Sequence, residues 1–248
     1  SGQRLRSIAE RTTAVIAHRV SRTVPSIAMD WGTGIDQAVT HVHALGHRRV
    51  AFLSGPRDSW ANRQRRRLLR AGCERRGIEL VELGPYEPRF SGGFRAADEV
   101  MAVGVTAVFA YNDLVALGVL ARLAARGVRV PERLSLIGFD DIPMASMISP
   151  PLTTVAMPIE AVARAAAAML LSALDRAEHD RAEHDRAEHD RAEHDRAEHD
   201  RSAPNTIAAG APPPVPPAPA THLVIRSTTG PAPRPGLLAS SDTGSADR

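Results

Sequence analysis

Lysine is absent from this chain: all 31 of its basic residues are arginine. They are offset by 28 acids to a formal net charge of +3 and are spread along the sequence. No tail or face therefore stands out as a nucleic-acid footprint. The isoelectric point near 9.9 reads instead as the codon bias of a GC-rich genome. Cysteine is nearly absent too, and the single Cys73 excludes an internal disulfide and a cysteine-built zinc site. No apolar run approaches the roughly 20 residues of a membrane-spanning helix. No charged-then-apolar leader opens the chain, so a cytoplasmic protein is expected. An initiator methionine is also missing, and the chain reads as a piece of a longer one. Catalytic signatures are lacking as well. No Gly-x-Gly-x-x-Gly occurs, and neither "SGP" nor "SGGF" continues into the Gly-Lys-Ser/Thr of a phosphate loop. With no Ser-His-Asp or Cys-His arrangement to argue, neither an enzyme nor a cofactor is expected.

What is present is an alternation of apolar runs and helical spacings over residues 30–141. "RRVAFLSG" (48–55), "IELVELG" (78–84), "TAVFAYND" (106–113) and "LSLIGFDD" (134–141) read as strands. Between them lie helical stretches over 33–47, 59–77, 91–104 and 113–127. The strands are continuous apolar runs rather than alternating ones, as a sheet covered on both faces requires. The expectation is an α/β fold with a doubly wound parallel sheet. In such sheets ligands bind beyond the carboxyl ends of the strands. That rim would hold residues 55–59, Asn112, Asp113, Asp140 and Asp141. Short extended stretches come before ("AVIAH", 14–18; "VPSIAMD", 24–30) and after ("LTTVAMP", 152–158; "THLVIRST", 221–228).

An Ala-rich helix over 159–175 leads into five tandem copies of "RAEHD", residues 176–200. A five-residue step turns about 140° on a helix, so the alanines wander round every face and form no stripe to bury. The repeat histidines fall on different faces at i, i+5, unlike the i, i+4 pair of a helical metal site, and no metal is expected. A Pro/Ala linker follows.

The motifs "ALGHRRVAFLSGP", "AVFAYNDLVALGVL", "VRVPERLSLIGFDD", "PPLTTVAMP" and "LVIRSTTGP" stand in the order found in LacI/GalR-family bacterial transcriptional regulators, and over about 5–231 the chain resembles that family. The resemblance implies a periplasmic-binding-protein-like effector domain, with one complete lobe and part of a second, that binds a small carbohydrate between its lobes. It implies a homodimer in the intact protein, and DNA contact only through a helix-turn-helix that this chain lacks. It implies these segments: 1–29 as a remnant of the N-terminal subdomain, 30–143 as the C-terminal effector-binding subdomain, and 144–175 with 221–230 returning to the N-terminal subdomain. Residues 176–220 are then repeat and linker, and 231–248 a disordered tail. Two alternatives stay open, a transporter's sugar-binding protein and a truncated fragment without function.

For the site, the resemblance puts Asp140 where family members grip effector hydroxyls, a task suited to a carboxylate that accepts two hydrogen bonds. Arg65 falls at the family's effector-binding arginine, whose planar fork can bracket two oxygens; Arg63 is the neighbour most easily confused with it. Asn112 resembles the polar residue at its strand end, although it could equally cap the next helix, as could Asp113. Trp31 and Trp60, the only tryptophans, lie near the rim and could stack on a sugar or fill a core. Asp141 is expected as a cap or hinge residue, and Cys73 as a small buried hydrophobe. Pro88 stands where relatives often carry an aromatic, with Phe90 close by. His18 and Met157 stand where relatives carry Asp or Asn, and Gln.

Overall fold

The computed structural model describes residues 7–8, 11–17, 21, 24–194 and 219–234. The chain divides into two compact units, Asp30–Pro158 with Ala220–Arg248, and Ser1–Met29 with Ile159–Pro219.

The larger unit is built on a six-stranded sheet. Its strands are β3 (Arg49–Leu53), β4 (Glu79–Leu83), β5 (Ala107–Phe109), β6 (Ser135–Asp140), β7 (Thr153–Ala156) and β8 (His222–Val224), in spatial order β4-β3-β5-β6-β7-β8. Neighbours are parallel through β7, and β8 closes the edge antiparallel, with Val155 opposite Leu223. After β3 the chain moves outward to β4 and then returns to the other side of β3 with β5. That reversal opens a crevice at the carboxyl ends of β3 and β5.

Helices cover both faces: α1 (Trp31–Ala44) and α2 (Trp60–Arg75) on one, α3 (Phe90–Ala102) and α4 (Asp113–Ala125) on the other. Alternate strand residues feed two cores. Val50, Phe52, Phe109, Ile137 and Phe139 pack on Ile35, Val39 and Leu69 of α1 and α2. Ala51, Leu53, Val108 and Leu136 pack on Ala97, Val100, Val119 and Leu123 of α3 and α4. This is why the central strands carry apolar residues on both faces. Cys73 sits in the first core at 1% exposure, where burial pushes its thiol up to about 11, and it behaves as a hydrophobe.

At the amino ends of the strands His47 is fully buried. Its Nδ1 meets Thr106 Oγ1 at 2.8 Å, and its Nε2 lies 3.1 Å from both Ser135 Oγ and the Gly230 carbonyl. One imidazole thus joins β3, β5 and β6 to the segment after β8, a role that no local motif announces.

Several expectations need correction. The strand segments around 152–158 and 221–228 do not return to the N-terminal unit; they pair as β7 and β8 in the larger unit's own sheet. The physical reason is that β6 would otherwise be an open edge, whereas β7 completes its ladder from Ile137↔Thr153 to Asp140↔Ala156. Only from Ile159 does the chain join the N-terminal stretch. A short helix α5 (Met144–Met147), unforeseen, links β6 to β7. The tail expected from Pro231 stays docked through Ala232, whose N–H donates to Leu45 O at 2.8 Å. Residues 235–248 and the linker residues 201–218 lie outside the described residues, as does His18.

In the smaller unit β1 (Ile16–Ala17) and β2 (Ser26–Ile27) pair in parallel. Helix α6 (Ile159–His194) runs past Asp175 into the repeats. Of the repeat side chains described, Ala177 is partly buried and the others are exposed. Among the described residues no helix is long and apolar enough to cross a membrane, and no three His, Cys, Asp or Glu side chains group to hold a metal ion.

Candidate functional site

Beyond the carboxyl ends of β5 and β6 lies Arg65, bonded to the Tyr111 carbonyl and to Asp140. The helix α2 starts on the N-cap Ser59, whose Oγ accepts from Asn62 N–H at 3.2 Å, and this start sets which face of "RQRRR" turns inward. Arg65 is inward and 3% exposed. Arg63 and Arg66 are exposed, and Arg63 donates to the Asp58 carbonyl at 3.0 Å. Helical phase therefore separates the two arginines that residue type could not.

The Arg65 guanidinium stacks among three aromatic rings, its carbon 4.6 Å from the centre of Phe139, 5.0 Å from Tyr111 and 5.2 Å from Trp31. Such cation–π contacts hold a guanidinium in place where water is excluded. Nη2 donates to Asp140 Oδ1 at 2.8 Å, and Nη1 to the Tyr111 carbonyl. Among the described residues its Nε has no acceptor, and neither has the indole Nε1 of Trp31. Two buried donors beside one ion pair are exceptional, because buried polar groups are nearly always satisfied.

Asp140 ends β6 with its side chain one-third exposed, so the carboxylate is bonded to Arg65 and still reachable from solvent. Burial raises its pKa, a push that the Arg65 charge and hydrogen bond oppose. Its backbone φ is 107° and that of Asp141 is 55°. Two consecutive non-glycine residues in this region are strained. The strain turns the chain sharply at the strand end and leaves the two carboxylates with separate partners. Asp141 Oδ1 accepts from Arg226 Nη2 at 2.7 Å, tying the turn to the segment after β8. Asp141, expected as a cap or hinge residue, caps no helix and anchors that segment at the turn.

The remaining expected residues divide. Trp60 opens α2, partly exposed, and packs edge-on against Trp31 with centroids 5.7 Å apart. Trp31 is 6% exposed with Arg65 over its ring, so it offers a buried donor and no stacking face. Asn112 is not free for a ligand: its Oδ1 accepts from Val115 N–H at 3.0 Å as the N-cap of α4, and its Nδ2 donates to Pro88 O at 3.3 Å. The cap competes for the amide and wins because the first turn of α4 needs an acceptor there. Phe90 begins α3 about half exposed, and Met157 is partly buried after β7.

One group was missed, and another was placed on the rim and as a possible cap without its actual role. Tyr111 completes the aromatic cage, and its hydroxyl lies 3.0 Å from Ser59 Oγ. Asp113, fully buried, accepts from the Thr154 hydroxyl at 2.7 Å and the Ile142 N–H at 2.9 Å, which makes it a bracket between α4, β7 and the turn after β6. Burial pushes its carboxyl up to about 6, against those hydrogen bonds and helped by the nearby Asp140 and Asp141. Only the sequence "YND" hinted at either.

Residues 39–194 match the profile of a periplasmic binding protein-like domain. The HTH-type transcriptional repressor PurR of Vibrio cholerae is 33% identical over 176 residues, 64% of this chain and 52% of that protein. The ribose operon repressor of Escherichia coli K12 is 34% identical over 156 residues, 55% and 47% of the two chains. The chain thus spans about half the length of the curated relatives it matches. Among solved structures, a LacI family transcriptional regulator from a Rhodococcus species superposes with a TM-score of 0.70 at 26% identity, over 94% of this chain and 75% of that one. One from Enterococcus faecalis V583, with bound ribose, gives 0.69 at 22% identity, over 93% and 74%. The fold is accordingly periplasmic-binding-protein-like.

Proposed function

The chain belongs to the periplasmic binding protein-like domain family, and we propose that it is the effector-sensing part of a LacI/GalR-type transcriptional regulator, binding a small carbohydrate at the crevice of its larger unit. The observation that carries this is the Arg65–Asp140 pair, with acceptors missing at Arg65 Nε and Trp31 Nε1. A sugar hydroxyl can accept from either donor while giving its own proton to the exposed part of the Asp140 carboxylate. Trp60 lies close enough to receive the C–H face of a ring. The repressor names of the relatives and the ribose held by the E. faecalis regulator support the same reading. The task is binding, not catalysis. In an intact cytoplasmic homodimer with DNA-reading heads, the effector would bias an equilibrium between two arrangements by its different contacts in each.

Calorimetric titration of the chain with pentoses, hexoses and nucleosides tests the reading. One class should bind, and Asp140→Ala should weaken it by about 1.5–3 kcal/mol, the scale of a hydrogen bond to a charged group. The same variant should lower folding stability by roughly 2 kcal/mol, because it leaves Arg65 buried without its carboxylate, discounted for the exposure of Asp140. Unchanged sugar binding in Asp140→Ala would remove the site from the proposal.

A further inference from the structure

A second cavity lies beside the first turns of α2, between the carboxyl ends of β3 and β4. It encloses about 380 Å3 and is lined by Ser54, Arg57, Asn62, Arg63, Arg66 and Glu82, among others. That volume suits a small ligand. Its lining carries three guanidiniums against one carboxylate. Glu82 is already shared, 2.6 Å from Arg66 and 2.5 Å from Arg70, which lies one turn further along α2. Arg63 and Arg66, three apart on one helix face, repel each other. Among the described residues no carboxylate pairs with Arg57 or Arg63. The wall also holds a built polar group. Asn62 is 6% exposed, and its Oδ1 is fixed by the Gly55 N–H at 2.9 Å. Its Nδ2 therefore has a set direction, and among the described residues nothing accepts from it.

We propose that this cavity binds a phosphate group. A tetrahedral anion with several acceptor oxygens can take the Asn62 amide and the forks of Arg57 and Arg63 together, and it relieves the repulsion along α2. Free phosphate and the phosphate of a phosphorylated effector share this chemistry. The second source rests on the proposed sugar site, since Asn62 and Arg65 project from the same turns of α2.

The test is calorimetric titration of the chain at 150 mM NaCl with inorganic phosphate, ribose and ribose 5-phosphate, repeated on the Arg57→Gln/Arg63→Gln double variant. Both arginines are exposed, so the variant should fold as the parent does. Saturable phosphate binding, weakened at least tenfold in the double variant while ribose affinity stays within threefold, is the expected result. A ribose 5-phosphate affinity at least tenfold above both single probes, lost in the variant, identifies a phosphorylated effector; affinity equal to that of phosphate identifies the free anion. If phosphate binds and ribose does not, ribose is not the effector and the anion site stands; the sugar reading fails only if the whole panel of pentoses, hexoses and nucleosides gives no heat. No saturable phosphate heat in the parent, or equal phosphate binding in the double variant, overturns the proposal.

Discussion

Asp113 is a carboxyl whose protonation the fold biases strongly within the ordinary pH range. Its carboxyl is held near 6 by burial, above the ordinary value of 3.8. A folded-state pKa raised above the unfolded one means that the native protein binds the proton more readily. The stabilisation that follows is thus complete below about pH 4 and fades as pH rises through 6. A rise from 3.8 to about 6 corresponds to at most about 3 kcal/mol. His41 and His47 work in the opposite direction. Burial lowers both, so their contribution is present above about 6.5 and fades on acidification. A bare pH profile mixes these contributions, and the difference between Asp113→Asn and the parent isolates one. We expect the parent to gain on Asp113→Asn in urea melts as pH falls from 7 to 4, and a gap independent of pH would contradict the raised pKa. Asp140 was legible in the sequence because it ends the motif strand "LSLIGFDD", whereas Arg65, inside α2, was named only through the resemblance and needed the helical phase to part it from Arg63. Asp113 was placed on the rim, but its bracing role was not legible, since its partners Thr154 and Ile142 reach it only through the β6–β7 pairing, far along the chain.

At the scale of elements, α3 and α4 cross so closely that their glycines become contact surfaces. A Cβ on Gly93 would lie 1.9 Å from the Val115 carbonyl oxygen, and one on Gly118 would lie 2.0 Å from that of Phe90. Both obstacles are backbone and cannot swing aside. Gly118→Ala should therefore cost roughly 3 kcal/mol, the upper part of the usual overpacking range, despite the better helix propensity of alanine. A urea midpoint equal to the parent's would mean that the two helices slide apart freely. The repeat carries the contrary expectation. Its described side chains are exposed along α6 apart from Ala177. Deleting residues 176–200 shortens a connection whose closure entropy changes by less than about 1 kcal/mol. The melting temperature should move by no more than about 3 °C, and a larger fall would show that the repeat packs on the body. Helix and strand positions in 30–141 could be read from apolar period alone. The destination of β7 and β8 could not, because a four-residue apolar run completes any open edge equally well on paper.

For the molecule as a whole, the two units differ in how much each can hold by itself. The larger has a six-stranded sheet with a buried core on either face, and β3, β5 and β6 sit inside it with no exposed edge. The described part of the smaller has two strands of two residues each, the long helix α6 and a helical stretch at 7–8. The alternation in the sequence made the first legible. In the second, "AVIAH" and "VPSIAMD" read as extended but are too short to specify a sheet, and their membership of a second lobe came only through the resemblance. Hydrogen exchange follows local opening, and amides in a doubly covered sheet open only with the entire core. Amides of Val50, Val108 and Ile137 should therefore share one protection factor, set by global unfolding. The Ile16 amide, which donates to Pro25 O at 2.8 Å beside a two-residue ladder, should exchange at least a hundredfold faster. A carbohydrate bound at Arg65 and Asp140 should raise the first group by the ligand's own stabilisation, since it binds the native state and not the unfolded one. Measured with and without saturating ligand, a change confined to Ile16 would place the binding energy in the smaller unit, and the crevice of the larger would then not be the site.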